Sequence, residues 1–115
     1  MPFRKVMVRL EAALDGEGVL VGYSAEGHSG AGRKGADIVC AAVSALSRAL
    51  VGALRGREGV RVRVDAPERG KLSVELNYDG GARDFLEGAG AVLLEGLGSV
   101  AGEYPEFCNL TITRR

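Results

Sequence analysis

In residues 60–65, VRVRVD, a valine alternates with a charged residue at every step. Successive side chains of a β-strand point to opposite faces, so this run places Val60, Val62 and Val64 on a core face and Arg61 and Arg63 on the other. Residues 71–78, KLSVELNY, read as a second strand joined to the first across Pro67 and Gly70. Near the start of the chain, residues 5–14 (KVMVRLEAAL) alternate in the same way, with Val6, Val8 and Leu10 on one side and Lys5, Met7 and Arg9 on the other. Asp15-Gly16-Glu17-Gly18 marks a turn, after which VLVGYSAEG pairs back as a hairpin.

Between these hairpins the period becomes helical. From Ala36 to about Arg55, residues Val39, Val43, Leu46, Leu50 and Leu54 share one face. A second helix is expected from Ala82 to about Ala101, burying Phe85, Ala89, Val92, Leu93, Leu97 and Val100. It carries Gly88, Gly90, Gly96 and Gly98, each costing about 0.5–1 kcal/mol relative to alanine. Close packing, against the first helix or another subunit, is the use such glycines serve. A last strand is expected from Glu106 to Thr113. The order β-β-α-β-β-α-β predicts an α+β fold, a two-layer sandwich in which a mixed sheet of about five strands carries two helices on one face.

A chain of 115 residues that is 46% hydrophobic is expected to form one domain over residues 1–115. Fifteen basic residues balance fifteen acidic ones, which gives no general electrostatic case for nucleic acid or an anionic membrane as partner. Locally, Arg55 to Lys71 holds six basic and three acidic residues, and Arg83 to Glu106 one basic and five acidic. Each asymmetry reads as a solvated face or a binding patch. Neither a signal peptide nor a transmembrane segment is apparent, so the cytoplasm is the expected location, with both cysteines as thiols.

The chemistry concentrates in residues 27–40, GHSGAGRKGADIVC, which hold the chain's single histidine and one of its two cysteines. Gly30-Ala31-Gly32-Arg33-Lys34-Gly35 matches G-x-G-x-x-G. The dinucleotide reading fails on context, because the acidic residue expected about 20 positions later falls inside the first helix and parallel βαβ units are not evident. A Walker A loop is excluded by Ala36 in place of lysine. One histidine and two cysteines on distant elements do not supply a metal site, and no cofactor is called for. In FCNLTIT, Cys108 alternates onto the side of Leu110 and Ile112 and reads as core. Cys40 instead joins Asp37, Ser44 and Ser47 in a stripe beside the apolar face, near a helix start that favours an anion. By residue type alone it is either a small packing residue or a nucleophile, and His28 alone is either a surface loop residue or its base.

The run Gly27-His28-x-Gly30-x-x-x-x-Gly35-x-Asp37-x-Val39-Cys40-Ala41-Ala42-Val43-Ser44 resembles the signature of the ribosomal-processing cysteine proteases, the Prp family of bacteria. The resemblance implies a cytoplasmic cysteine endopeptidase, typically homodimeric. Its substrate would be the N-terminal extension of a large-subunit ribosomal protein, removed after a hydrophobic, phenylalanine-containing sequence. It also implies Cys40 as nucleophile and His28 as general base, later the acid that protonates the leaving amine. Asp37 and Ser44 are secondary candidates: Asp37 orients His28 or caps the helix, and Ser44 bonds near the thiolate or back to its own helix. Gly27, Gly30, Gly32 and Gly35 suggest a flexible loop in which His28 reaches Cys40 only when substrate orders the segment. The alternative from another class is a noncatalytic module binding ribosomal RNA or protein through the glycine-rich loop and the basic segment 55–71.

Overall fold

The computed structural model of the chain describes residues 7–27 and 34–115. Five strands form one sheet in the order β3-β4-β2-β1-β5: β1 (Val8–Leu14), β2 (Leu20–Glu26), β3 (Val60–Asp65), β4 (Lys71–Tyr78) and β5 (Cys108–Arg114). The β1–β2, β2–β4 and β3–β4 pairs are antiparallel and β1–β5 is parallel, so the sheet is mixed as predicted. Helix α1 (Lys34–Leu54) connects β2 to β3, and a single turn of 3-10 helix at Gly80–Ala82 leads into α2 (Arg83–Glu103), which connects β4 to β5.

Strand direction explains why both helices share a face. Each helix crosses between two parallel strands, and such crossovers are right-handed in nearly all proteins. The crossovers leave from β2 and β4, which run in opposite directions, and move toward opposite edges of the sheet. The two reversals cancel, and both helices land on the same side. The register then sets the core. Leu10 lies opposite Ala25 and Leu110, Tyr23 opposite Ala12 and Val74, and Val64 opposite Val74. These side chains meet Val39, Val43, Leu50 and Leu54 of α1 and Leu86, Leu93 and Leu97 of α2 in one cluster. The other face of the sheet presents Arg9, Glu11, Glu26, Ser73 and Asn109 to solvent.

Helix α2 is turned from the expected setting. Val92, expected in the core, is 72% exposed, while Leu86 is buried. The line nearest the sheet runs Leu86-Gly90-Leu93-Leu97; hydrophobic patterning places Leu93 and Leu97 on it but misses Leu86 and Gly90, the latter because it has no side chain. Gly90 earns its place: a Cβ there would sit 3.0 Å from the Cβ of Leu20. At Gly96 a Cβ would meet Leu46 of α1 at 3.1 Å, so this glycine sets the helix–helix approach. Gly88 and Gly98 face open space. By length and composition α1 and α2 would both pass as membrane spans, yet each seats its buried line on the sheet.

One polar pair ties α1 to the sheet from within the core. The Tyr23 hydroxyl and the Ser47 Oγ lie 2.7 Å apart and are buried. Tyr23→Phe strands the Ser47 hydroxyl, which is expected to lower unfolding free energy by about 1–3 kcal/mol. A urea titration checks this, and Tyr23→Phe with Ser47→Ala together should cost less than the two single changes added.

Candidate active site

At one end of the sheet the chain ends of β1, β2 and β4 come together. The Gly27 N–H donates to the Gly70 carbonyl at 2.8 Å, and the Val8 N–H to the Phe107 carbonyl at 2.8 Å. A cleft of about 750 Å³ opens here between α1 and the sheet, a size that suits a peptide segment or small ligand. Val8, Ala25, Val43 and Leu72 give it apolar surface, Cys40 and Ser44 line its α1 side, and Gly27 lines its β2 side.

Cys40 is partly exposed on this wall, and neither cysteine is joined in a disulfide. Its placement follows from the rotation of α1. Burying Val39 and Val43 points the adjacent stripe along the edge of the helix, toward the cleft. Four residues on, Ser44 lies on the same face and also lines the cleft. Ser47, from the same stripe, lies deeper and is held by Tyr23. Asp37 is exposed in the first turn of α1. Because α1 already includes Lys34, Asp37 falls inside the helix rather than on its N-cap, and its charge complements the positive end of the dipole. Cys40 correspondingly sits in the second turn, deeper than the sequence reading placed it. The N–H groups without intrahelical acceptors belong to the first four residues of a helix, so backbone donation to an oxyanion falls to that turn rather than to the N–H of Cys40.

His28, Gly30 and Gly32 lie outside the described residues. The glycines on either side of them have packing reasons of their own. Gly27 has φ +109°, and a Cβ there would fall 2.3 Å from the Met7 carbonyl oxygen. At Gly35 a Cβ would fall 2.7 Å from Cε2 of Phe107, so the absent side chain lets the first turn of α1 rest on the turn before β5.

The second thiol is of another kind. Cys108 is fully buried, and desolvation pushes its pKa up, which keeps it protonated. Burial likewise pushes up the Tyr23 phenol, partly offset by its bond to Ser47. Half of the basic segment is engaged within the protein: Arg57 stacks 3.4 Å from the centre of the Phe85 ring, Arg61 pairs with Asp79 at 2.9 Å and Lys71 with Glu68 at 3.5 Å. Of that segment, Arg69 and Lys71 border the cleft, as does Arg48 of α1. Sequence reasoning missed Arg48, although it stands four residues beyond Ser44 and continues that helix face. Arg69 was read only as part of the basic segment 55–71 and Leu72 gave no local signal, since only strand pairing brings them near Cys40.

Comparison with known proteins agrees with this fold. The profile of the family described as cysteine protease Prp matches residues 7–109. The crystal structure of SMU.848 from Streptococcus mutans is 30% identical, with a TM-score of 0.79 over 96% of this chain and 97% of that one. An essential ribosomal processing protease Prp from S. aureus, in complex with a substrate peptide, is 23% identical with a TM-score of 0.77 over 93% of this chain and 100% of that one. The same protease with a covalently linked product peptide is 24% identical, with a TM-score of 0.72 over 95% of this chain and all of the other. No curated protein sequence matches significantly.

The packing at the cleft rim predicts a contrast between two glycines. Gly27→Ala forces a side chain into a left-handed conformation against a carbonyl, and is expected to cost about 1–3 kcal/mol. Gly16→Ala, with nothing within 4 Å, should leave the urea midpoint nearly unchanged.

Proposed function

Because the chain belongs to the cysteine protease Prp family, we propose that it is an endopeptidase working through a Cys40–His28 dyad, which removes the N-terminal extension of a large-subunit ribosomal protein. The observation that carries this is the shared cleft. Cys40 lines one side, Gly27 lines another, and the residue bonded to Gly27 is the only histidine in the chain.

The chemistry is that of acyl transfer through a thiol. His28 takes the Cys40 proton, and the thiolate sulfur attacks the scissile carbonyl carbon to give a tetrahedral oxyanion. As the C–N bond breaks, the imidazolium delivers its proton to the leaving amine, which departs as the new N-terminus of the ribosomal protein. Water, deprotonated by His28, then cleaves the thioester and releases the extension with a free carboxylate. The apolar surface from Val8, Ala25, Val43 and Leu72 suits a hydrophobic recognition sequence. Asp37 and Ser44, one turn either side of the nucleophile, serve as secondary positions: Ser44 within the cleft, Asp37 through its charge at the helix start.

The reading includes a cytoplasmic setting and a homodimer. Support for the dimer comes from the outer side of the helix layer, where Val92 is 72% and Ile38 41% exposed and Gly88 and Gly98 meet nothing within 4 Å. Sedimentation should give about twice the monomer mass, and a monomer at working concentration would contradict it.

Mass spectrometry of the extended ribosomal protein, incubated with wild type, Cys40→Ala and His28→Ala, tests the activity. One defined N-terminal truncation is expected with wild type and none with Cys40→Ala. His28→Ala should slow cleavage by about 10²- to 10⁴-fold. Truncation by the Cys40→Ala protein would overturn the assignment.

A further inference from the structure

The hydroxyl pair that ties α1 to the sheet holds one proton more than its own bond uses. Tyr23 Oη and Ser47 Oγ meet at 2.7 Å. Each carries an O–H donor, and a single bond between them consumes one. A serine inside a helix often returns its proton to the carbonyl four residues back. Among the described residues, however, the Ser47 side chain bonds only Tyr23. The phenol, with a reference pKa of about 10, is the more acidic partner and donates, while the Ser47 oxygen accepts. Burial points the same way. Tyr23 is 3% exposed and does not line the cleft, so a spare proton on it would be left unpaired in the core at a cost. Ser47 is also buried but does line the cleft, together with Val43 one turn before it and Ala25 two residues beyond Tyr23. Its O–H is therefore a donor left over on the cleft floor, strengthened by the bond its oxygen accepts.

We propose that Ser47 donates this hydrogen bond to a main-chain carbonyl of the substrate peptide about three residues from the scissile bond. This rests on the protease reading of the same cleft and adds a substrate-binding residue to it. The surroundings select the acceptor. Val8, Ala25, Val43 and Leu72 cover apolar peptide side chains, which have no acceptor to offer. The backbone seated with them loses water, so its carbonyl needs a donor from the protein. The spacing comes from α1. Ser47 lies seven residues past Cys40, or about 10 Å along the helix at ~1.5 Å per residue. An extended peptide covers that distance in roughly three residues at ~3.3 Å each.

The test uses a synthetic peptide spanning the cleavage site, with one main-chain carbonyl oxygen exchanged for sulfur, a weaker acceptor, at the second, third or fourth residue on each side in turn. Ser47→Ala should raise KM for the unmodified peptide about three- to tenfold and change kcat little. At one position the sulfur exchange should raise the wild-type KM by a similar factor, and in Ser47→Ala the same exchange should have no effect. Tyr23→Phe keeps the Ser47 hydroxyl and should keep the sensitivity to sulfur. If Ser47→Ala does not fold by circular dichroism, Tyr23→Phe with Ser47→Ala, which strands neither hydroxyl, takes its place with the same expected loss. A wild-type KM in the folded variant, or sulfur effects as large in it as in wild type at every position, overturns the inference while the protease reading stands. If wild type does not cut even the unmodified peptide, the protease reading fails and this inference fails with it.

Discussion

The rotation of α1 about its own axis is the constraint on which the site depends. Val39, Val43, Leu50 and Leu54 are all buried against the sheet, each contributing on the order of 1.5–3 kcal/mol relative to exposure. A helix advances about 100° per residue, so fixing that face fixes every other one. Cys40, Ser44 and Arg48 are thereby brought to the cleft by the setting of the helix as a whole. Tyr23 reinforces the setting from below by bonding Ser47. A thiol delivered this way is positioned by the core, and it remains partly exposed on the cleft wall.

The functional end of the molecule is assembled where glycine permits unusual closeness. Gly27 ends β2 in a conformation other residues resist, within reach of the Met7 carbonyl and hydrogen-bonded to Gly70. Gly35 lets the start of α1 settle on Phe107. These contacts draw β1, β2, β4 and the turn before β5 together around one helix, which is why residues as far apart in sequence as Val8, Cys40 and Leu72 line one cavity. The contrast between the two cysteines belongs to the same design. Cys108 is sealed among hydrophobic neighbours on β5, whereas Cys40 stands at the edge of its helix.

Strand identity was legible from the sequence because alternation is strict: β3 and β4 have the predicted residue limits, and the burial of Cys108 follows from its side of β5. The first helix was legible for the same reason, since its apolar spacing is uninterrupted. At α2 patterning placed Leu93 and Leu97 correctly but put Val92 in the core and missed Leu86, because Gly90 occupies the line closest to the sheet and a hydrophobicity count cannot register an absent side chain. It also placed the start of α1 late, because Lys34 and Gly35 resemble loop residues and only tertiary packing on Phe107 draws Gly35 into the helix. Of the site, the Cys40 stripe was readable from helical spacing as far as Ser47. Arg69, Leu72 and the apolar floor were not, because they reach the cleft through strand pairing between segments tens of residues apart.

The central claim is that Cys40, with His28, is the nucleophile of this cleft. The most direct measurement is peptide mapping by mass spectrometry after inactivation with a peptidyl chloromethyl ketone ending in phenylalanine. One equivalent of adduct on Cys40, none on Cys108, and much slower labelling in His28→Ala are predicted. Adduct on Cys108, or labelling of Cys40 at the same rate without His28, would contradict the account.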